Sequence, residues 1–449
     1  MAEAVFVPAL DAIRAAARPL TGAAGDFDPL MDLIGEARFV LLGEATHGTD
    51  EFYRARAAVT LRLVREKGFA AVAAEADWPD AHRVHRWITG RSADPYPEAA
   101  LGDFVRFPRW MWRNTVFADL IRELRAHNLS RPATEPRVGF FGLDLYSLHA
   151  SIRAVLDYLQ RVDPDAAVVA RERYSCFDHA GREGTEYGRS VGWGLSPSCE
   201  DEAVRQLAEL RQGEWEYARR DGRIAEEDFF SAEQNARLVR NAEQYYRTMF
   251  RGRVSSWNLR DRHMAETLAE LDAWLTERLR RPARIVVWAH NSHLGDARAT
   301  EVSGHGELNV GQLVRQRHGS HAVLVGFSTY EGTVTAATDW DGPAERKTVR
   351  PALPGSVEEL YHDTGTGDFL LDLRHAPDAV GDELRIDRLT RMIGVVYRPE
   401  TERQSHYFFA RPAEQFDAVI HYERTTALEP LDPDAAPTRG EEETYPTGM

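Results

Sequence analysis

The chain has 449 residues, of which 28% are charged and 43% hydrophobic, with 33 Gly, 22 Pro and 10 Trp. That is an ordinary globular composition, long enough for one large core. No apolar run approaches the roughly 18 residues that a membrane span needs. The first twenty residues (MAEAVFVPALDAIRAAARPL) are broken by acids, arginines and prolines and hold no continuous apolar stretch like that of a secretory signal. A net charge of −16 repels phosphate backbones and argues against nucleic acid as a partner. The two cysteines, Cys176 and Cys199, form no CxxC pattern and cannot staple a fold of this size, so a reducing cytoplasm is the expected location.

Seven short apolar runs read as buried strands: Phe39–Leu42, Phe69–Ala73, Val138–Phe141, Ile285–Trp288, Ala322–Gly326, Phe369–Leu371 and Met392–Val396. Each is too short for a helix, and most are rich in Val, Ile or Phe. They are apolar throughout rather than alternating, the pattern of strands covered on both faces. Helical spacing between the first strands, as in Phe52–Lys67, gives strand–helix–strand order and predicts an α/β fold with a mostly parallel or mixed sheet. From about 148 to 280 no strand pattern occurs. Charged amphipathic helices over Glu200–Tyr217, Glu226–Phe250 and Arg262–Leu279 make this stretch a helical insertion or cap. Residues 1–429 are thus expected to form one domain. Residues 430–449 are Pro-rich, acidic and short of aliphatics, the composition of a disordered tail.

Polar residues gather where these strands end. Phe39–Leu42 leads into Gly43, Glu44, Ala45, Thr46, His47 and Gly48. Phe69–Ala73 leads into Glu75 and Asp77, Val138–Phe141 into Asp144, and Ile285–Trp288 into His290 and His293. Parallel strands would deliver all of these to one sheet edge, the edge where open α/β folds bind ligands. Unpaired, such groups would cost several kcal/mol each to bury. A plainer role competes for the acids: Asp50, Glu51, Asp77 and Asp144 are also placed as helix caps or first-turn acids. The cluster Phe104, Phe107, Trp110 and Trp112 could wall a cavity for a bulky ligand, but fits core packing better.

There is no GxSxG elbow, GxxxxGK[ST] loop, GxGxxG turn or HEXXH helix. Two chemistries remain open. His290-x-x-His293 with Glu44 or Glu75 could hold a metal. Alternatively, an imidazole oriented by a carboxylate could deprotonate a water that attacks an ester, with the second imidazole or Arg56 stabilising the oxyanion.

The segment LLGEATHGTDEFYRARAAVTLRLVREKGFAAVAAEADWPDAHRVHRWITG resembles the signature of the erythromycin esterase family. The likeness continues through FFGLDLYSLHASI, NAEQYYRTMF, SSWNLRDRHMAETL, VVWAHNSHLGDAR, GELNVGQLVRQRHG, VGFSTYEGTV and RMIGVVYRPETERQSHYFFARPAEQFDAVIHYERT, over roughly residues 30 to 425. It implies an α/β core with helical decoration and a cleft where water attacks a small-molecule ester or macrolactone, the chemistry of macrolide inactivation. It further implies His47 as base, Glu44 as its partner, Glu75 as second carboxylate and His290 as second imidazole. Arg56, His293 and Asp144 are supporting residues, and no metal or other cofactor is implied. Two other classes use the same residues: a metal- or haem-binding protein with His47, His290 and His293 as ligands, and a non-catalytic metabolite-binding protein.

Overall fold

A computed structural model describes residues 3–178, 184–213, 217, 223–249 and 253–433. Its centre is a mixed nine-stranded sheet. The strands are β1 (Arg18–Pro19), β2 (Phe39–Leu42), β3 (Ala71–Asp77), β4 (Gly139–Asp144), β5 (Ile285–Trp288), β6 (Ala322–Ala336), β7 (Glu345–Val349), β8 (Phe369–Asp372) and, after a separate two-stranded ribbon of β9 (Arg388–Arg391) and β10 (Tyr407–Ala410), β11 (Ala418–Thr425). The order is β1-β8-β11-β6-β2-β5-β3-β4, with β7 hairpinned onto β6. From β11 to β4 all six strands run parallel; β8, β1 and β7 are antiparallel additions. This is the α/β architecture expected from the sequence.

The unbroken apolar runs have a direct cause. Val40, Leu42, Val72, Ala74, Val286, Trp288, Val323 and Val325 point to one core, which the helices Asp50–Lys67, Trp78–Ile88 and Thr115–Ser130 close through Val59, Leu63, Val84, Ile88 and Leu124. The alternate residues Phe39, Leu41, Ala71, Ala73, Ile285, Val287, Ala322 and Leu324 point to a second core. That one is closed by helices Leu148–Val162, Arg223–Thr248 and Arg253–Leu279 through Val155, Val239, Met264, Leu268 and Leu271. The described part of residues 148–280 therefore covers much of one face of the sheet and shares its core with Ile13, Val314, Leu360 and Val380.

Several expectations need correction. Met392–Val396 is no sheet strand; Ile393 donates its N–H to the Ala45 carbonyl at 2.7 Å and backs the loop after β2. Its place in the sheet goes to β11, whose His421 and Glu423 interrupt any apolar run. β3 and β4 continue further than the apolar runs, so Glu75, Asp77 and Asp144 lie within strands. Cys176 and Cys199 are joined in a disulfide because the helices Pro164–Asp178 and Glu200–Gln212 bring their Cα atoms to 6.0 Å, a pairing that sequence spacing does not reveal. The chain from Pro430 to Pro433 is placed, with Pro430 bridged to Asn114 and Asp432 paired with Arg113 at 2.6 Å. The rest of the expected tail, 434–449, lies outside the described residues. No helix among those residues is long and apolar enough to cross a membrane.

Two glycines let the loop after β2 pack. A Cβ at Gly43 would stand 2.1 Å from Asn291 Oδ1, and one at Gly48 would stand 1.8 Å from the Thr335 carbonyl oxygen. The Gly48 carbonyl accepts from both Thr335 N–H and Leu428 N–H at 2.9 Å, so backbone would have to move to admit a side chain. Gly48→Ala is expected to cost about 1–3 kcal/mol as overpacking, read as a lowered midpoint in thermal or urea unfolding. Unfolding indistinguishable from wild type would contradict this close packing.

Candidate active site

Because β2, β3, β4 and β5 are parallel, their carboxyl ends open on the same sheet edge. The loop following β2 carries Glu44 and His47. His47 Nδ1 lies 2.9 Å from Glu44 Oε1, and the other Glu44 oxygen accepts from Arg56 Nη2. Arg56 comes from the helix Asp50–Lys67 and lies between the rings of Tyr53 (4.3 Å) and Trp288 (4.5 Å). All three polar residues are at most 4% exposed. Arg56 thus holds the Glu44 carboxylate through the oxygen that His47 Nδ1 does not contact.

Two residues past the end of β5 stands His290, whose ring centroid is 4.7 Å from that of His47. His290 caps the one-turn helix Asn291–Leu294: its Nδ1 accepts from Ser292 N–H at 3.3 Å and lies 2.8 Å from Ser292 Oγ. Burial, reinforced by the neighbouring His47, pushes its pKa well below the usual histidine range. His290 is therefore neutral, with the proton on Nε2, the nitrogen that does not accept. Nε2 is buried and makes no hydrogen bond at ordinary distance, although the Ala45 carbonyl faces the ring and works against its lowered pKa.

Glu75 divides its oxygens between two elements. Oε2 accepts the backbone N–H of His290 at 2.9 Å, and Oε1 accepts from Arg260 Nη2 at 2.6 Å while lying 3.4 Å from His293 Nε2. Arg260 also grips Asp144 through Nε (2.9 Å) and Nη2 (2.6 Å). Asp261 lies within 2.9 Å of His293 Nδ1 and accepts Val310 N–H at 3.0 Å; Trp257 stacks on the His293 ring at 4.5 Å. Burial works to lower the His293 pKa, but Asp261 and Glu75 outweigh it and push it up to about 9. Burial likewise works to raise Glu75, but His293 and Arg260 hold it well below the usual carboxylate range. Asp77 pairs with Arg106 at 2.9 Å and makes no side-chain cap hydrogen bond, although it occupies the N-cap position; burial and Asp144 push its pKa up against Arg106.

All seven residues singled out from the sequence therefore meet at one edge, in two linked groups: Arg56, Glu44, His47 and His290, then Glu75, His293 and Asp144. His290 and His293 turn to different partners. Among the described residues no three His, Cys, Asp or Glu side chains are grouped as a metal would need. Sequence reading missed Arg260 and Asp261. The signal was present: Trp257, Asp261, Met264, Leu268, Leu271 and Leu275 repeat at spacings of four and three, which puts Asp261 on the buried stripe of its helix. Of the aromatic cluster, Phe104, Trp110 and Trp112 are buried core, while Phe107 packs edge-on against Trp110. Phe107 and Trp110 also line a small cavity of about 40 Å³ with Val105, Pro343 and Pro430.

The erythromycin esterase family profile matches residues 64–425. The chain belongs to the erythromycin esterase family. Erythromycin esterase type II of Escherichia coli is 20% identical over 428 residues, covering 90% of this chain and 93% of that protein. Among solved structures, a succinoglycan biosynthesis protein superposes with a TM-score of 0.75 at 22% identity, over 95% of this chain and 99% of the other. A Bacillus cereus protein gives 0.76 at 20% identity, over 94% and 98%. A histidine-to-asparagine mutant of the erythromycin esterase EreC, in its open conformation, gives 0.63 at 17% identity, over 89% and 93%. These structures share the fold, and family membership makes the chain a hydrolase of that family.

The His293 charge makes a pH prediction. Its folded pKa of about 9 exceeds the ordinary 6.5, so its contribution to stability is complete below about pH 6.5 and is lost as pH rises through 9. The 2.5-unit difference corresponds to a loss on the order of 3 kcal/mol. Urea unfolding at a series of pH values should show this alkaline loss in wild type and not in His293→Gln; equal losses in the two proteins would contradict the assignment.

Proposed function

We propose that the protein hydrolyses a small-molecule ester or macrolactone, with His47 as general base for direct attack by water. The supporting observation is the buried Arg56–Glu44–His47 chain set 4.7 Å from a neutral imidazole whose Nε2 makes no hydrogen bond at ordinary distance. Arg56 balances the Glu44 carboxylate. Glu44 accepts the Nδ1 proton of His47, which fixes the tautomer and leaves Nε2 basic. A water beside Nε2 gives up a proton as its oxygen attacks the ester carbonyl carbon. The oxyanion that forms accepts from His290 Nε2–H, a donor already in place and shielded from bulk water. Collapse of the tetrahedral intermediate breaks the bond to the alkoxide, which takes the proton back from His47. An acyclic ester yields an acid and an alcohol; a lactone opens to one hydroxy acid, heavier by one water. Glu75 holds the backbone of His290 and so keeps the two imidazoles in register.

Mass spectrometry of macrolides of several ring sizes tests this reading. Wild type should add one water with or without chelator, and His47→Ala should lose about 10²–10⁴-fold in rate while remaining folded. His290→Ala should lose about 10²–10³-fold, the scale of one oxyanion donor. Full activity in His47→Ala, or loss of wild-type activity on chelation, would overturn the mechanism.

A further inference from the structure

The inserted helical region does more than cover the sheet: its helix Arg253–Leu279 reaches the site with Trp257 and, one turn on, Arg260 and Asp261. None of the three touches His47. A chain of contacts nevertheless leads there. Asp261 holds His293 through Nδ1; His293 Nε2 faces Glu75 Oε1; Glu75 Oε2 holds the His290 backbone N–H; and His290 stacks beside His47. Asp261 is fully buried, and its second contact, from Val310 N–H, fixes the carboxylate in place.

We propose that Asp261 is a positioning residue for the reaction: it fixes His293 through Nδ1, and His293, with Arg260, keeps Glu75 aligned on the His290 backbone beside the base. This rests on the proposed esterase reading of the same site. Asp261 supplies an anion 2.9 Å from Nδ1, and Nε2 lies between Glu75 Oε1 at 3.4 Å and the Arg260 guanidinium at 3.2 Å. The two carboxylates therefore favour a proton on each nitrogen, while Arg260 opposes the second. The other charged group facing His293 is Arg260 from the same long helix, which disfavours the cation, while His290 at the start of its own helix is neutral; Asp261 and Glu75 together outweigh Arg260 and the burial. Removing the Asp261 charge while keeping its shape leaves a single carboxylate against Arg260 and the burial. His293 then gives up its proton near neutrality, and Glu75 depends on Arg260 alone.

The test is Asp261→Asn, read in two ways. Histidine NMR titration of the folded protein, with His293 assigned by its loss in His293→Gln, needs no substrate. The His293 midpoint should fall from about 9 by about 1–3 units, the effect of removing one charge at contact distance. On an ester that wild type cleaves, kcat should fall with KM within a factor of about two, and the alkaline limb of the pH profile should move down by the same interval. Asp261→Glu should restore much of both. An unmoved His293 midpoint overturns the proposal. So does a loss of activity uniform across pH, which is what a merely structural role would give. If wild type cleaves no ester, the esterase reading fails while the titration still decides the role of Asp261.

Discussion

The Glu44 carboxylate sits between a guanidinium and an imidazole, and the edge of the sheet is built around keeping it there. A buried carboxylate with one partner removed would cost several kcal/mol. Here Arg56 takes one oxygen and His47 the other, and Arg56 is itself enclosed by Tyr53 and Trp288. Trp288 is the last residue of β5, so the same strand that forms the wall behind the arginine delivers His290 to the front. Gly43 lets Asn291 come within bonding distance of the neighbouring backbone, where its amide bonds the Phe327 carbonyl at 2.7 Å, and Gly48 lets the loop close onto β6. The loop is held from β5, β6 and the segment at Ile393, which is why so short a stretch can fix a base in one orientation.

The three imidazoles of the site lie close together yet differ in charge. His293, between Asp261 and Glu75, is a cation to about pH 9 and is unsuited to accept a proton. His290, beside His47 and buried, is neutral and is placed to donate from Nε2. His47 has the Glu44 carboxylate on Nδ1, and that carboxylate is balanced by Arg56. Environments that separate neighbouring titratable groups in this way are how one fold assigns acid, base and electrostatic roles.

Much of this was readable in the residues themselves. β2 and β5 match their apolar runs residue for residue because both faces are dry and their neighbours are parallel. The same burial marks the polar residues that follow them as unusual, and this is why Glu44, His47 and His290 stand out. β11 was illegible because His421 and Glu423 turn it polar halfway along, and Met392–Val396 misled because an apolar stretch can bury itself as a prop behind a loop. Arg260 and Asp261 lie 185 and 32 residues from the side chains they bind, Glu75 and His293. The buried stripe marks Asp261, but which side chains it and Arg260 meet depends on how a long helix crosses the sheet edge, which no local pattern encodes. Asp77 and Asp144 read as helix caps for the same reason: their true partners, Arg106 and Arg260, arrive from elsewhere in the chain.

The account rests on water, and not a protein side chain, attacking the ester. A single turnover in ¹⁸O-labelled water, with excess enzyme and a macrolactone or aryl ester that it cleaves, tests direct attack against a carboxylate nucleophile whose anhydride water opens at the protein carbonyl. Direct attack places one ¹⁸O in the acid product and none in the protein. Unlabelled acid, with ¹⁸O recovered in a peptide containing Glu44 or Glu75, would show a carboxylate nucleophile and contradict the role given to His47.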